Sequence, residues 1–147
     1  MGDGKVEAVY IAAEHGQLAR AVLSVQAIAG KGLEGNRYFD EGRPEAELTL
    51  IEAEQIDQVA AESGIQVDAA ASGRNVLTRG VSLNDLVGKR FRLGELECRG
   101  VELCEPCTTF ESKTTPGALN AFVHRAGLNA EILAGGVLRV GDPVEPL

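Results

Sequence analysis

The chain has no tryptophan, and aromatic residues make up only 4% of it. Its core must therefore be packed from Val, Leu, Ile and Ala, with few large anchors. Long apolar runs are missing too. No stretch approaches the roughly 18 residues of a membrane span, so no membrane association is expected. The opening residues Met1-Gly2-Asp3-Gly4-Lys5 carry no apolar signal-peptide segment, and Val6 stands where a myristoylation motif needs Ser or Thr. Positive charge is in deficit, with 14 Lys and Arg against 22 Asp and Glu and a net charge of −8. That balance excludes non-specific binding to nucleic acid or to an anionic bilayer, but leaves room for a small basic pocket around an anionic ligand. The three cysteines are an odd count without a secretory signal, which predicts free thiols in a reducing cytoplasm.

What is present is an ordinary globular composition, 44% hydrophobic and 24% charged over 147 residues. It predicts one domain, residues 1–147, large enough to bury a real core. Lys5–Glu14 reads as a strand with Val6, Ala8 and Tyr10 on one face. Arg20–Ile28 reads as a second strand, and a glycine-bearing loop follows from Gly30 to Pro44. Glu47–Ile51 is a short strand leading into a helix over about 52–62, with Thr49 and Glu52 spaced as a capping box and Ser63-Gly64 as its end. Ile65–Ala70 reads as extended, Arg74–Thr78 as a strand and Ser82–Leu86 as one helical turn. Lys89–Leu93 and Leu96–Leu103 alternate around Gly94-Glu95 as a hairpin, with Gly100 at a bulge. Thr115 as N-cap and Pro116 at the first helical position predict a helix to about Arg125. Strands over 129–133 and 137–140 close the chain. Many short strands with only about two helices predict a mostly-β barrel.

Four features carry potential chemistry. Cys104-Glu105-Pro106-Cys107 is a C-x-x-C that fits a redox pair, part of a zinc site, a single working thiol at Cys107 stiffened by Pro106, or buried filler. The late helix start at Thr115 weighs against a redox pair, and the lack of a second ligand pair weighs against zinc. Cys98, on an alternating strand, reads as filler. Gly32-Leu33-Glu34-Gly35-Asn36-Arg37 offers backbone N–H groups and a guanidinium to a phosphate, or is merely a turn. Arg74-Asn75 can clamp an anion and hydrogen-bond a heterocycle, or form a polar turn. His124-Arg125 can contact a ligand or complement a helix C-terminus.

As a set these residues resemble the MOSC domain family, relatives of the C-terminal domain of molybdenum cofactor sulfurase. Gly32–Tyr38 is similar to its G-x-x-G-D-R-[HY] loop, with Asn36 in place of Asp. Arg74-Asn75-Val76 and Gly80-Val81-Ser82-Leu83 resemble its R-N-[IVL]…G-[VL]-D-L segment. Gly88–Gly94 resembles its G-x-x-[FL]-x-[IL]-G strand, Glu105-Pro106-Cys107 its x-P-C motif, and Gly135–Asp142 its closing G-G-x-[IL]-x-V-G-D. Cys104 stands where many members have a basic residue. The resemblance implies a barrel like the β-barrel domain of pyruvate kinase, in a stand-alone MOSC-domain protein that binds a molybdopterin-type molybdenum cofactor. It implies sulfur carriage, or cofactor-dependent reduction of N-hydroxylated compounds, through Cys107 as catalytic thiol or molybdenum ligand. Arg37, Arg74, Asn75, His124 and Arg125 are then the cofactor-binding candidates, and a desulfurase or redox protein the partner. No aminotransferase-like desulfurase domain is present in the sequence. A non-catalytic barrel module, and a thiol redox or metal protein using Cys104 with Cys107, remain the alternatives.

Overall fold

The computed structural model describes residues 4–147. Seven strands close into a barrel. β1 (Gly4–Ile11) pairs on one edge with β11 (Pro143–Pro146), which pairs with β7 (Arg90–Leu93). The circuit continues through β8 (Leu96–Leu103), β9 (Leu128–Ala134), β5 (Leu48–Glu52) and β6 (Val76–Arg79), which returns to β1. Closure removes the free edges that an open sheet of this size would expose. The parallel pair in the circuit is β5–β6. It is joined by the helix α1 (Ala53–Ser63), the kind of crossover that parallel strands require.

The expected strand over 20–28 is two strands. β2 (Arg20–Val22) adds to the barrel beside β1, while β3 (Ser24–Ile28) joins β4 (Gly32–Leu33) and β10 (Gly136–Arg139) in a small second sheet. Leu23, exposed between them, marks the switch. The face expected for β1 is also corrected. Its register shifts between Val6 and Ala8, so Val6, Val9 and Ile11 point inward and Ala8 and Tyr10 do not. A bulge inserts one residue and re-phases every side chain after it.

Two cores result. The barrel interior is filled by small aliphatics such as Val9, Leu48, Leu50, Val76, Leu96 and Leu128, with Phe91 as its aromatic. The second core lies outside the barrel wall, where Ile51 and Val59 meet Phe110, Ala118 and Phe122. β5 is therefore apolar on both faces, as a strand covered by helices must be. Phe110 and Phe122 belong to α2 (Thr108–Lys113) and to the end of α3 (Ala118–Ala121). Their rings meet edge-on, 5.5 Å between centroids.

These two helices replace the single one expected over 116–125. Thr115 caps nothing with its side chain. The chain instead turns through Pro116 and Gly117, whose φ of 91° is left-handed. The expected capping box at Thr49 is absent as well. Glu52 is the N-cap of α1, without a side-chain cap bond, and Thr49 lies in β5 bonded to Asn75. Gly100 does sit at a register shift, between Gly100 and Glu102, where a Cβ would overlap the Leu86 carbonyl.

Asn75 knits the barrel at the entry to β6. Its Oδ1 accepts from Thr49 N and Oγ1, each at 3.1 Å, and its Nδ2 donates to the Tyr10 carbonyl at 3.1 Å. It is 2% exposed, so no water can replace these bonds. Asn75→Ala is expected to lower unfolding free energy by about 2–4 kcal/mol, because three polar groups lose their partner inside the fold. Chemical denaturation measures this, and a loss under about 0.5 kcal/mol contradicts it.

Glu47 is the buried carboxylate of the barrel wall and accepts from Ile132 N at 2.9 Å. Burial pushes its pKa up, outweighing the lowering effect of that hydrogen bond. A carboxyl raised in the folded state contributes stability below its unfolded pKa of about 4.3 that is lost as pH climbs through the raised value. Glu47→Gln keeps an acceptor for Ile132 and removes that loss. Urea melts are expected to give a flatter stability profile above about pH 4.3, with the variant gaining on wild type as pH rises. A variant that loses ground between pH 4.5 and 7 refutes this assignment.

Candidate functional site

The segment from Cys104 to Cys107 leaves β8 and runs directly into α2 as a strap with no turn or bend. Pro106 keeps Glu105 out of the helical region, so the helix cannot start earlier. Cys107 is the last residue before α2, extended at φ −139° and ψ −179°, and its carbonyl accepts from Glu111 N at 3.0 Å. The residue is exposed; Cys104 is half-buried and Cys98 fully buried. Burial pushes the Cys98 thiol up to about 12, so it stays protonated. Burial also raises Cys104, with the positive charge of Arg74 pulling the other way.

The strap borders a cleft of about 300 Å³. The opposite wall is the loop after β4, with Arg37, Tyr38 and Arg43. The floor is formed by Ser72, Gly73 and Arg74 ahead of β6. Thr109, Phe110 and Lys113 of α2 and Asn129 of β9 complete it. Four cations and one carboxylate, Glu45, line this space in a chain of net charge −8. Glu45 is engaged by Arg43 at 3.1 Å. Among the described residues Arg37, Arg74 and Lys113 have no carboxylate within ion-pair distance. The lining of the cleft therefore carries net positive charge.

Arg37 donates to the Gly73 carbonyl at 3.2 Å and lies 4.8 Å from the centre of the Tyr38 ring. Arg43 lies over the same ring at 5.5 Å, so Tyr38 spaces the two guanidinium groups by cation–π contact. The expected backbone cradle around Gly32–Arg37 does not form. The N–H groups of Glu34, Asn36 and Arg37 are spent on carbonyls of Gln26, Leu33 and Ala12, and the Asn36 side chain accepts from Ala12 N. The loop offers the cleft its Arg37 side chain rather than its amides.

Arg74 is 8% exposed. Its Nε donates to the Ala126 carbonyl at 2.8 Å, Nη1 to Ser72 at 3.0 Å, and Nη2 to Cys104 at 2.9 Å and Glu105 at 3.5 Å. The guanidinium carbon lies 4.8 Å from the centre of the Phe110 ring.

Of the residues singled out in the sequence, Arg37, Arg74, Cys104 and Cys107 come together here. Asn75, beside Arg74, faces into the barrel network. His124 and Arg125 lie outside the cleft. His124, at φ 61°, donates its backbone N–H to the Glu105 carboxylate at 2.6 Å and pairs with it through Nδ1. Arg125 binds Gln55, Gln58 and Glu62 along α1. Arg43, Lys113, Thr109 and Asn129 are the cleft residues that the sequence reading missed. Thr109 and Lys113 stand four apart, one helical face, a signal readable only once α2 is known to start at Thr108.

The strap geometry also bears on Cys104 with Cys107. Cys104 is half-buried and Cys107 exposed, on a strap with no turn between them, and both are free thiols. Among the described residues no group of three or more His, Cys, Asp or Glu is placed to hold a metal ion. No helix among them is long and apolar enough to cross a membrane.

Comparison with known proteins agrees with this architecture. The YuaD protein from Bacillus subtilis superposes with a TM-score of 0.80 at 16% identity, over 99% of this chain and 98% of that one. YiiM from Geobacillus stearothermophilus gives 0.78 at 15% identity, over 98% of this chain and 75% of that one. YiiM from Escherichia coli gives 0.71 at 18% identity, over 97% and 69%. At these identities the likeness is one of fold. No curated protein matches the chain by sequence. The family model described as MOSC domain matches residues 38–145, starting at the Tyr38 that spaces Arg37 from Arg43 and taking in the whole strap. The chain belongs to the MOSC domain family.

Proposed function

We propose that this protein binds a pterin-type molybdenum cofactor in the cationic cleft, with Cys107 as the thiol that meets its metal or sulfur end. The observation that carries this reading is an exposed thiol opening onto a cleft in which, among the described residues, Arg37, Arg74 and Lys113 have no acidic partner. The donor set suits the group. A phosphorylated, sulfur-bearing heterocycle needs cations for its phosphate, neutral polar groups for its ring and a soft ligand for its metal. Arg37, Arg43 and Lys113 supply the first, Thr109 and Asn129 the second and Cys107 the third. The volume of about 300 Å³ sits at the lower end of small-ligand pockets.

When bound, such a cofactor supplies a redox-active, sulfur-ligated metal. The chain's own part is to hold the phosphate, orient the ring and present one thiolate, in keeping with a sulfur carrier or with a reductase of N-hydroxylated compounds. Of the candidates read from the sequence, this reading keeps Arg37 as a direct contact and sets Arg74 behind it. It leaves Asn75, His124 and Arg125 to the scaffold. A desulfurase or a redox protein is the partner class such a thiol requires, and three free thiols suit a reducing compartment such as the cytoplasm.

Protein purified from a molybdenum-replete host is expected to carry molybdenum or sulfane sulfur, and Cys107→Ser to lose it while keeping its fold. Arg37→Gln and Lys113→Gln are each expected to weaken cofactor retention about 10-fold, the cost of one charge-assisted hydrogen bond. Elemental analysis with cyanolysis of sulfane sulfur checks both. Wild-type protein that holds neither molybdenum nor sulfane sulfur sinks the proposal.

A further inference from the structure

Arg74 is a cation almost closed off from water, and among the described residues no carboxylate neutralises it. Burying a guanidinium is costly unless its donors are satisfied. Here they are satisfied by four backbone carbonyls rather than by an anion. Those carbonyls come from three separate places: Ser72 in the turn before β6, Cys104 and Glu105 in the strap, and Ala126 before β9. The contacts span 2, 30, 31 and 52 residues of sequence.

The strap itself has little else to hold it. Apart from the ladder that precedes it, its backbone bonds run from Cys104 N to the Gly127 carbonyl at 2.8 Å and from Glu111 N to Cys107. On the outer side the Glu105 carboxylate is tied to His124. Glu105 is thus pinned from within by Arg74 through its carbonyl and from without by His124 through its carboxylate. The residue two positions on is Cys107. Only a planar fork with donors on several sides can reach Ala126, Ser72 and the strap at once. A lysine ammonium carries the same charge but cannot span all three.

From this we infer that Arg74 is the positioning residue of the Cys107 thiol: its guanidinium fixes the strap against the barrel wall, and its contacts are structural bonds rather than ligand bonds. Its charge still reaches the cleft, where it adds to Arg37 and Lys113. The two roles separate by substitution. The assignment concerns the site proposed above, but its test does not depend on that cofactor.

The test places a nitroxide label on Cys107 in a Cys104→Ser background; Cys98 is buried and does not compete. Spectral line shape then reads strap mobility, and inorganic phosphate titration reads the charge of the cleft. Arg74→Lys is expected to mobilise the label clearly while phosphate affinity stays within about 3-fold of the parent, since the charge remains. Arg74→Met is expected to mobilise the label and weaken phosphate as well. Arg37→Gln is expected to weaken phosphate about 10-fold with the label unchanged. A label as immobile in folded Arg74→Lys as in the parent overturns the inference, and phosphate loss without mobilisation makes Arg74 a ligand residue instead. Should Arg74→Lys not fold, Arg74→Gln decides. It keeps a planar donor for one carbonyl but loses the fork and the charge; it is expected to mobilise the label, and an unchanged label there overturns the inference equally. If wild type holds no molybdenum yet the labels behave as expected, the cofactor reading falls and the positioning role stands.

Discussion

Two adjacent buried polar residues, Arg74 and Asn75, join the barrel to its site. They lie side by side at the bend just ahead of β6, and their side chains bond in opposite directions. Asn75 therefore turns toward β1 and β5 and closes the strand network. Arg74 turns the other way and gathers the strap, the turn before β6 and the approach to β9. Strand register and thiol position are fixed by one dipeptide. A slip of β6 by one residue would carry both side chains away from their partners.

The scarcity of aromatic residues gives this arrangement its shape. The barrel interior is filled by aliphatics around Phe91, and two more of the chain's four Phe lie in the outer core. One of these, Phe110, does two things. One face packs with Phe122 against α1 and β5, and the ring also lies against the Arg74 guanidinium. The helix that carries it is only six residues long, too short to be stable by its own propensity. Phe110 burial is what holds α2 in place, and α2 in turn sets where the strap ends and where Lys113 projects. Gly127 makes the same point from the other side of the strap. A Cβ there would overlap the Leu50 carbonyl, so only glycine lets the chain pass close enough for its own carbonyl to accept from Cys104 N.

Where alternation and turn chemistry agree, the sequence is a good guide. The hairpin Arg90–Leu103, the bulge at Gly100 and the end of α1 at Gly64 are legible because local geometry decides them. The misreadings arise where tertiary contacts outvote local preference. Thr115-Pro116 is a strong local helix start, whereas Thr108-Thr109 is β-branched and a poor one. The burial of Phe110 wins, and the helix begins eight residues earlier. That single displacement hid Lys113 and Thr109 from the site. In β1 a bulge at Glu7 inverted the expected face of Ala8 and Tyr10. Arg37 and Arg74 could be picked out as cations beside glycine turns, and Cys107 as a thiol directly after a proline. That Arg74 spends its donors on carbonyls, and Asn75 on strands, depends on chain segments tens of residues away.

The charge pattern narrows what can enter the cleft. A protein of net charge −8 repels polyanions as a whole. At physiological ionic strength, however, charges farther than about 8 Å are largely screened. A compact anion inside the cleft therefore feels chiefly Arg37, Arg43, Arg74 and Lys113, while an extended one also meets the acidic surface beyond. The ion pairs of that surface, such as Arg79 with Glu7 and Arg99 with Glu131, leave its acids in excess. On the proposed reading, this field suits a small ligand with its negative charge concentrated at one end. The cations are also graded. Arg43 is shared with Glu45, Arg74 spends its donors on four carbonyls, Arg37 spends one on Gly73, and Lys113 makes no side-chain bond among the described residues.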